Sequence, residues 1–287
     1  MTTHTLETPE ADIVYDVHGP APAESPRPPL FMIGQPMTAE GFGALASHFA
    51  DRTVVTYDPR GLGRSVRKDG REDHVPALQA EDVHAVIQAL GAGAVDLFGS
   101  SGGAVAGFAL VTAHPEDVRT FVAHEPPLVG SVPDAAAAER ASKGMRDAYQ
   151  AKGFGAGMAA FLAMTSWQGE FTDTYFALPP ADPAQFGLPA EDDGRRDDAL
   201  MSDRSLAVPA YRLDVPALGA APTRIVVAVG EESREVFTGR AAIGTAALLG
   251  QEATVFPSHH GGFLGGEFGY VGRPEAFAKK LREVLES

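Results

Sequence analysis

The sequence predicts an α/β protein, a mostly parallel sheet with helices on both faces. Three observations point there. Short β-branched or aromatic runs recur along the chain, amphipathic stretches with helical spacing separate them, and the runs are largely apolar throughout, as strands covered on both faces should be. In order, the strand-like runs are "DIVYDVHG", "PPLFMIG", "RTVVTYD", "AVDLFG", "RTFVAHE", "TRIVVAVG" and "EATVFPS". Helical spacing falls between them in "EGFGALASHFA" and "ALQAEDVHAVIQALG", and again in "AVAGFALVTAHP", which ends at Pro115. From residue 131 to residue 213 the pattern changes to "PDAAAAERASKGMRDAYQ" and "GFGAGMAAFLAMTSW", then the Pro/Asp-rich loop "ALPPADPAQFGLPAEDDGRRDD", with no convincing strand. That stretch reads as a helical lid set between two core segments, residues 1–130 and 214–287. Met145, Met158, Phe161, Met164 and Trp167 of the lid, with Met37 of the core, are candidates to line a pocket, because thioethers and aromatic rings adapt to irregular apolar ligands. Packing of lid against core is the alternative use of the lid side chains.

Composition narrows the function classes. With 287 residues, 44% of them hydrophobic and 21% charged, the chain has room for one sizeable core. A formal net charge of -15 repels phosphate backbones and anionic lipid, which argues against nucleic acid and membranes as partners. No cysteine is present, so disulfide staples, thiolate metal sites and a cysteine nucleophile are excluded. The beginning, "MTTHTLETPEADIVYDVHG", lacks a basic start followed by an apolar stretch, and a cytoplasmic location is the expectation. His4, His18, His48, His74, His84 and His114 are scattered without metal-ligand spacing and read as surface residues. No metal or cofactor is expected, and a homo-oligomer remains open.

The stretch "LFGSSGGAVAGFAL" carries the chemistry. Gly99, Ser101 and Gly103 fit G-x-S-x-G between a strand-like run and a helix-like one. Such a turn puts the serine at a strained apex, and the flanking glycines remove Cβ atoms that would collide with the neighbouring elements. There the hydroxyl can meet a base, and the N-terminus of the following helix favours a developing oxyanion, with the Gly102 N–H pointing into the site. Ser100 is the rival nucleophile in the same turn, with Phe98 where the motif has its first glycine.

Together with "VVTYDPRGLGRS" at 54–65 and the tail "FPSHHGGFLGGEFGYVGRPEAFAKKLREVL", the turn makes the chain resemble the α/β-hydrolase superfamily over nearly its whole length, the three segments standing in the family's order. The resemblance implies an α/β-hydrolase fold and a histidine base after the last strand. His260, in "HGGF", is the candidate, and His259 is the fallback. Family members usually carry the acid after the strand that follows the lid, where this chain has "VAVGEESRE" with Ser233 at the expected Asp. A variant of the superfamily takes the acid from the end of the strand before the lid, here "FVAHEPPL", and the spacing from Ser101 to Glu125 is similar to that in fungal zearalenone lactonases. Glu125, ahead of Pro126 and Pro127, is therefore the preferred acid and Glu232 the runner-up. The second oxyanion donor belongs to the loop after "LFMIG", where relatives have His-Gly and this chain has "GQPM". Pro36 lacks an N–H, so the amide of Gln35 is preferred over that of Met37. Asp58 and Arg60 are expected to fix their turn rather than touch substrate.

These assignments imply a serine hydrolase acting on a small apolar ester or lactone, neutral or cationic, through an acyl-enzyme. The same residues could serve a cofactor-free perhydrolase, a thioesterase or a C–C hydrolase. A ligand-binding scaffold without activity is the rival of a different class.

Overall fold

The computed structural model describes residues 1–287, and no helix in it is long and apolar enough to cross a membrane. Nine strands form one sheet: β1 (Thr2–Glu7), β2 (Ala11–His18), β3 (Leu30–Ile33), β4 (Val54–Tyr57), β5 (Val66–Arg67), β6 (Val95–Ser100), β7 (Val118–His124), β8 (Arg224–Gly230) and β9 (Thr254–Phe256). Their order across the sheet is β1-β2-β4-β3-β6-β7-β8-β9, with β5 paired to β2. From β4 to β9 every pairing is parallel, while β1, β2 and β5 add an antiparallel margin. The seven strand-like runs all become strands. β1 was not among them: its residues are mostly exposed and polar, and it hydrogen-bonds only to β2 at the sheet margin.

The helices are α1 (Gly43–Ser47), α2 (Pro76–Leu90), α3 (Gly102–Ala113), α4 (Ala135–Ser166), α5 (Asp173–Phe176), α6 (Val215–Ala220), α7 (Phe237–Leu248) and α8 (Pro274–Glu286). Alternation along each strand divides the core into two layers. Phe31 and Ile33 of β3 join the layer that holds Val83, Phe108 and Ala242 from α2, α3 and α7; Leu30 and Met32 join the layer of Leu45, Phe277 and Leu281 from α1 and α8. The chain is thus an α/β-hydrolase fold with a mostly parallel central sheet flanked by helices.

The segment between β7 and β8 contributes no strand to the sheet. It is dominated by α4, a helix interrupted at Gly153, whose φ of 79° and ψ of -167° break it into two parts. The glycine permits that left-handed backbone, and a Cβ there would stand 2.3 Å from the Asp192 carboxylate. Met145, Tyr149 and Met201 form a small core of their own within this segment.

Candidate active site

β6 runs into α3 through Ser101 alone. Its φ of 56° and ψ of -127° turn the chain sharply, and Gly102 is already the first residue of the helix. The turn needs its glycines for space. A Cβ on Gly103 would lie 2.2 Å from the Ile33 carbonyl oxygen, and one on Gly99 would lie 2.9 Å from the Ala104 Cα. The Gly102 N–H, at the start of α3, has no intrahelical acceptor. Beside it, at the end of β3, lies the Gln35 backbone, close enough that a Gly102 Cβ would approach the Gln35 carbonyl to 2.7 Å. The Gln35–Pro36 peptide is cis. Gln35, Ser101 and Gly102 all line one cavity of about 720 Å³.

β7 lies beside β6 with Ser100 opposite His124, so the residue after each strand emerges at the same sheet edge. That residue on β7 is Glu125, fully buried and at a φ of 46°. Its two oxygens are fully engaged. Oε1 accepts from the Gly230 N–H at 2.8 Å, and Oε2 accepts from the Thr238 hydroxyl at 2.7 Å and lies 2.7 Å from Nδ1 of His260. Burial alone would raise the pKa of this carboxyl, but the hydrogen bond and charge of His260, the nearby His124 and the Thr238 hydroxyl hold it down at about 2. The carboxylate therefore orients the imidazole with Nδ1–H toward Oε2, leaving Nε2 as the free ring nitrogen. His260 and Ser101 line the same cavity, and neither Ser101 Oγ nor His260 Nε2 has a hydrogen-bond partner within the protein.

The alternatives are held elsewhere. Glu232 lines the cavity but turns to Arg273, at 2.9 Å, instead of to a histidine. His259 also lines it, with Nδ1 accepting from the Gly261 N–H at 3.0 Å. The Ser100 hydroxyl lies 3.1 Å from Nδ1 of His124, a fully buried ring among Phe98, Phe256, Phe263 and Phe277. Burial pushes the His124 imidazole down to about 4, and its Nε2 has no partner. Asp58 accepts from the Ala39 and Arg64 amides, and Arg60 makes a paired contact with Asp82 at 2.6 Å for both bonds. Both thus tie their turn to its surroundings.

Met37, Phe161 and Met164 line the cavity, as do Met145 and Met158. Trp167 does not, which corrects the expectation for that residue: its ring packs edge-on against Tyr175 and its indole N–H donates to the Glu170 carbonyl at 3.0 Å. Two residues that hold the Glu125 carboxylate, Gly230 and Thr238, were not among the sequence candidates. They lie 105 and 113 residues from Glu125, and no local pattern connects them. The histidines also need correcting. His74 is buried rather than superficial, and burial pushes it down to about 4. His84, His114 and Asp117 gather at the far end of α3, with ligand atoms within 4.8 Å of one another. The two imidazoles are stacked at 3.7 Å and 9°, so an ion lying in both ring planes requires one ring to turn.

Comparison with known families matches residues 32–157 to the alpha/beta hydrolase fold. The uncharacterized hydrolase YraK of Bacillus subtilis is 28% identical over 288 residues, covering 98% of this chain and 95% of that one. A thermophilic esterase from Thermogutta terrifontis superposes with a TM-score of 0.64 at 18% identity, over 100% of this chain and 98% of that one. The enol-lactonase from Burkholderia xenovorans gives a TM-score of 0.61 at 17% identity, over 96% and 97%. The chain thus has the α/β-hydrolase fold from end to end, with the family match confined to residues 32–157.

Proposed function

We propose that the protein hydrolyses carboxylic esters or lactones with apolar acyl groups, using Ser101 as nucleophile, His260 as base and Glu125 as the orienting acid. The observation that carries this reading is the fully buried Glu125 bonded to His260 Nδ1 at 2.7 Å, at the same sheet edge from which Ser101 emerges. His260 Nε2 takes the Ser101 hydroxyl proton as Oγ attacks the ester carbonyl. The oxyanion is held by the Gly102 and Gln35 amides, each such donor being worth about 3 kcal/mol of barrier. His260 then returns the proton to the leaving alkoxide and the C–O bond breaks. Water, deprotonated by the same nitrogen, attacks the acyl-enzyme carbonyl, and Ser101 leaves with its proton restored. Residues 131–213 act as the lid, supplying Met145, Met158, Phe161 and Met164 to the apolar wall. The esterase and lactonase names among the structural neighbours agree with this class of substrate.

The test is a panel of p-nitrophenyl esters of graded chain length together with small and macrocyclic lactones, run on wild type and Ser101→Ala. Turnover of at least one member, falling roughly 10³-fold or more in the variant, is the expected result. Labelling by a fluorophosphonate should occur on wild type and vanish with Ser101→Ala. Turnover that survives the substitution would refute the assignment, and an inert scaffold would neither turn over nor label.

A further inference from the structure

Most of the surface the cavity wall presents is apolar, yet the wall includes one cation without a strong partner. Arg146 projects from α4, its side chain 18% exposed, and its guanidinium donates no hydrogen bond within the protein. The nearest carboxylate is Asp203, 4.0 Å from Nε and itself 72% exposed, a contact weak in both distance and solvent screening. One helical turn earlier, Ser142 lines the same cavity. It is 8% exposed, and its hydroxyl has only the Met164 sulfur for a partner, at 3.8 Å. Glu232, the other full charge on the wall, is already matched by Arg273. His259, His260 and Tyr270 complete the titratable groups facing the space.

While the cavity holds water, Arg146 is solvated. An apolar substrate displaces that water, and a guanidinium left facing hydrocarbon is costly unless the substrate brings an acceptor. A neutral carbonyl would satisfy one donor and leave the charge. A carboxylate matches the planar fork of two N–H groups and the charge together, with the Ser142 hydroxyl as a further donor. We infer that Arg146 and Ser142 form a carboxylate subsite, and that the preferred substrate is an ester or lactone with an apolar body and one carboxylate remote from the scissile carbonyl. This rests on the hydrolase reading above and narrows its substrate class. It also modifies the expectation of a neutral or cationic substrate: the net charge of -15 describes the average field, whereas the wall that meets the ligand presents a local cation.

The test pairs mono-p-nitrophenyl adipate with its methyl-capped ester, each rate divided by that of spontaneous hydrolysis. Wild type should favour the free acid at least tenfold in kcat/KM. Arg146→Gln should remove most of that preference, chiefly through KM, Arg146→Lys should keep part of it, and Ser142→Ala should lower it by a smaller factor. Equal or faster turnover of the capped ester by wild type would overturn the subsite, as would a preference that survives in Arg146→Gln. If wild type turns over neither compound nor any other ester, the hydrolase reading fails by itself, and the subsite is read by calorimetric titration with monomethyl adipate and dimethyl adipate. Tighter binding of the acid, weakened at least tenfold in Arg146→Gln, supports the subsite. Equal affinities, or no binding of the acid, refute it.

Discussion

Glu125 combines full burial, a left-handed backbone and three partners that all favour its charged form. Strain of this kind, about 1–3 kcal/mol, persists where the surroundings over-determine it. Glu125→Gln keeps the shape but removes the charge that stabilises an imidazolium and selects its tautomer. The expected loss in kcat is on the order of 10²- to 10⁴-fold, while Glu232→Gln, which breaks only a half-exposed pair with Arg273, should stay within a few-fold. An ester assay on both variants decides between the two carboxylates, and the reverse ranking would reject Glu125. Glu125 was singled out by the resemblance to a variant that takes its acid from this strand end, with two prolines following it. What holds it was not, since Gly230 and Thr238 return from the other side of a long insertion.

Between β6 and α3 the constraint is spatial rather than electronic. Gly103→Ala would drive a methyl to 2.2 Å from the Ile33 carbonyl, a backbone atom that cannot swing aside. Its expected cost is about 3 kcal/mol or more, read as a lower urea midpoint, with loss of activity in whatever remains folded because β3 leads into Gln35, whose backbone lies beside Gly102. This element was readable from a five-residue motif because sterics admit so few residues there. Trp167 shows the limit of the same approach for α4. Its residue type placed it among the pocket aromatics, but it follows the last residue of the helix, where the chain has already turned extended and its ring finds Tyr175.

For the whole molecule, the order of elements was legible because the buried parallel strands are short, uniformly apolar runs, whereas α2 between them shows helical spacing of its apolar residues. The polar, exposed β1 carries no such signal. Titration also acts at this scale. His124 and His74 are both held at about 4 by burial, so between pH 6.5 and 4 the unfolded chain binds protons that the native chain does not, and stability falls as the pH falls. The fully buried His124 accounts for on the order of 2 kcal/mol of that loss at pH 5. Glu125, depressed to about 2, adds a further loss as the pH falls from the ordinary carboxyl range through 2. Urea unfolding at pH 7.5 and 5.0 should show the decline, and His124→Asn should make it shallower; an unchanged slope would exclude the buried ring as its source.

Ser101 and Glu125 leave adjacent parallel strands in fixed register, and both come before the segment whose side chains line the cavity. Exchanging that segment for one of another length or character therefore alters what enters the cavity while leaving the distance between serine and carboxylate untouched, provided β8 still returns beside β7 with Gly230. The fold thus offers a natural cassette boundary, at which a new cavity wall could be grafted without disturbing the register that sets Ser101 against Glu125.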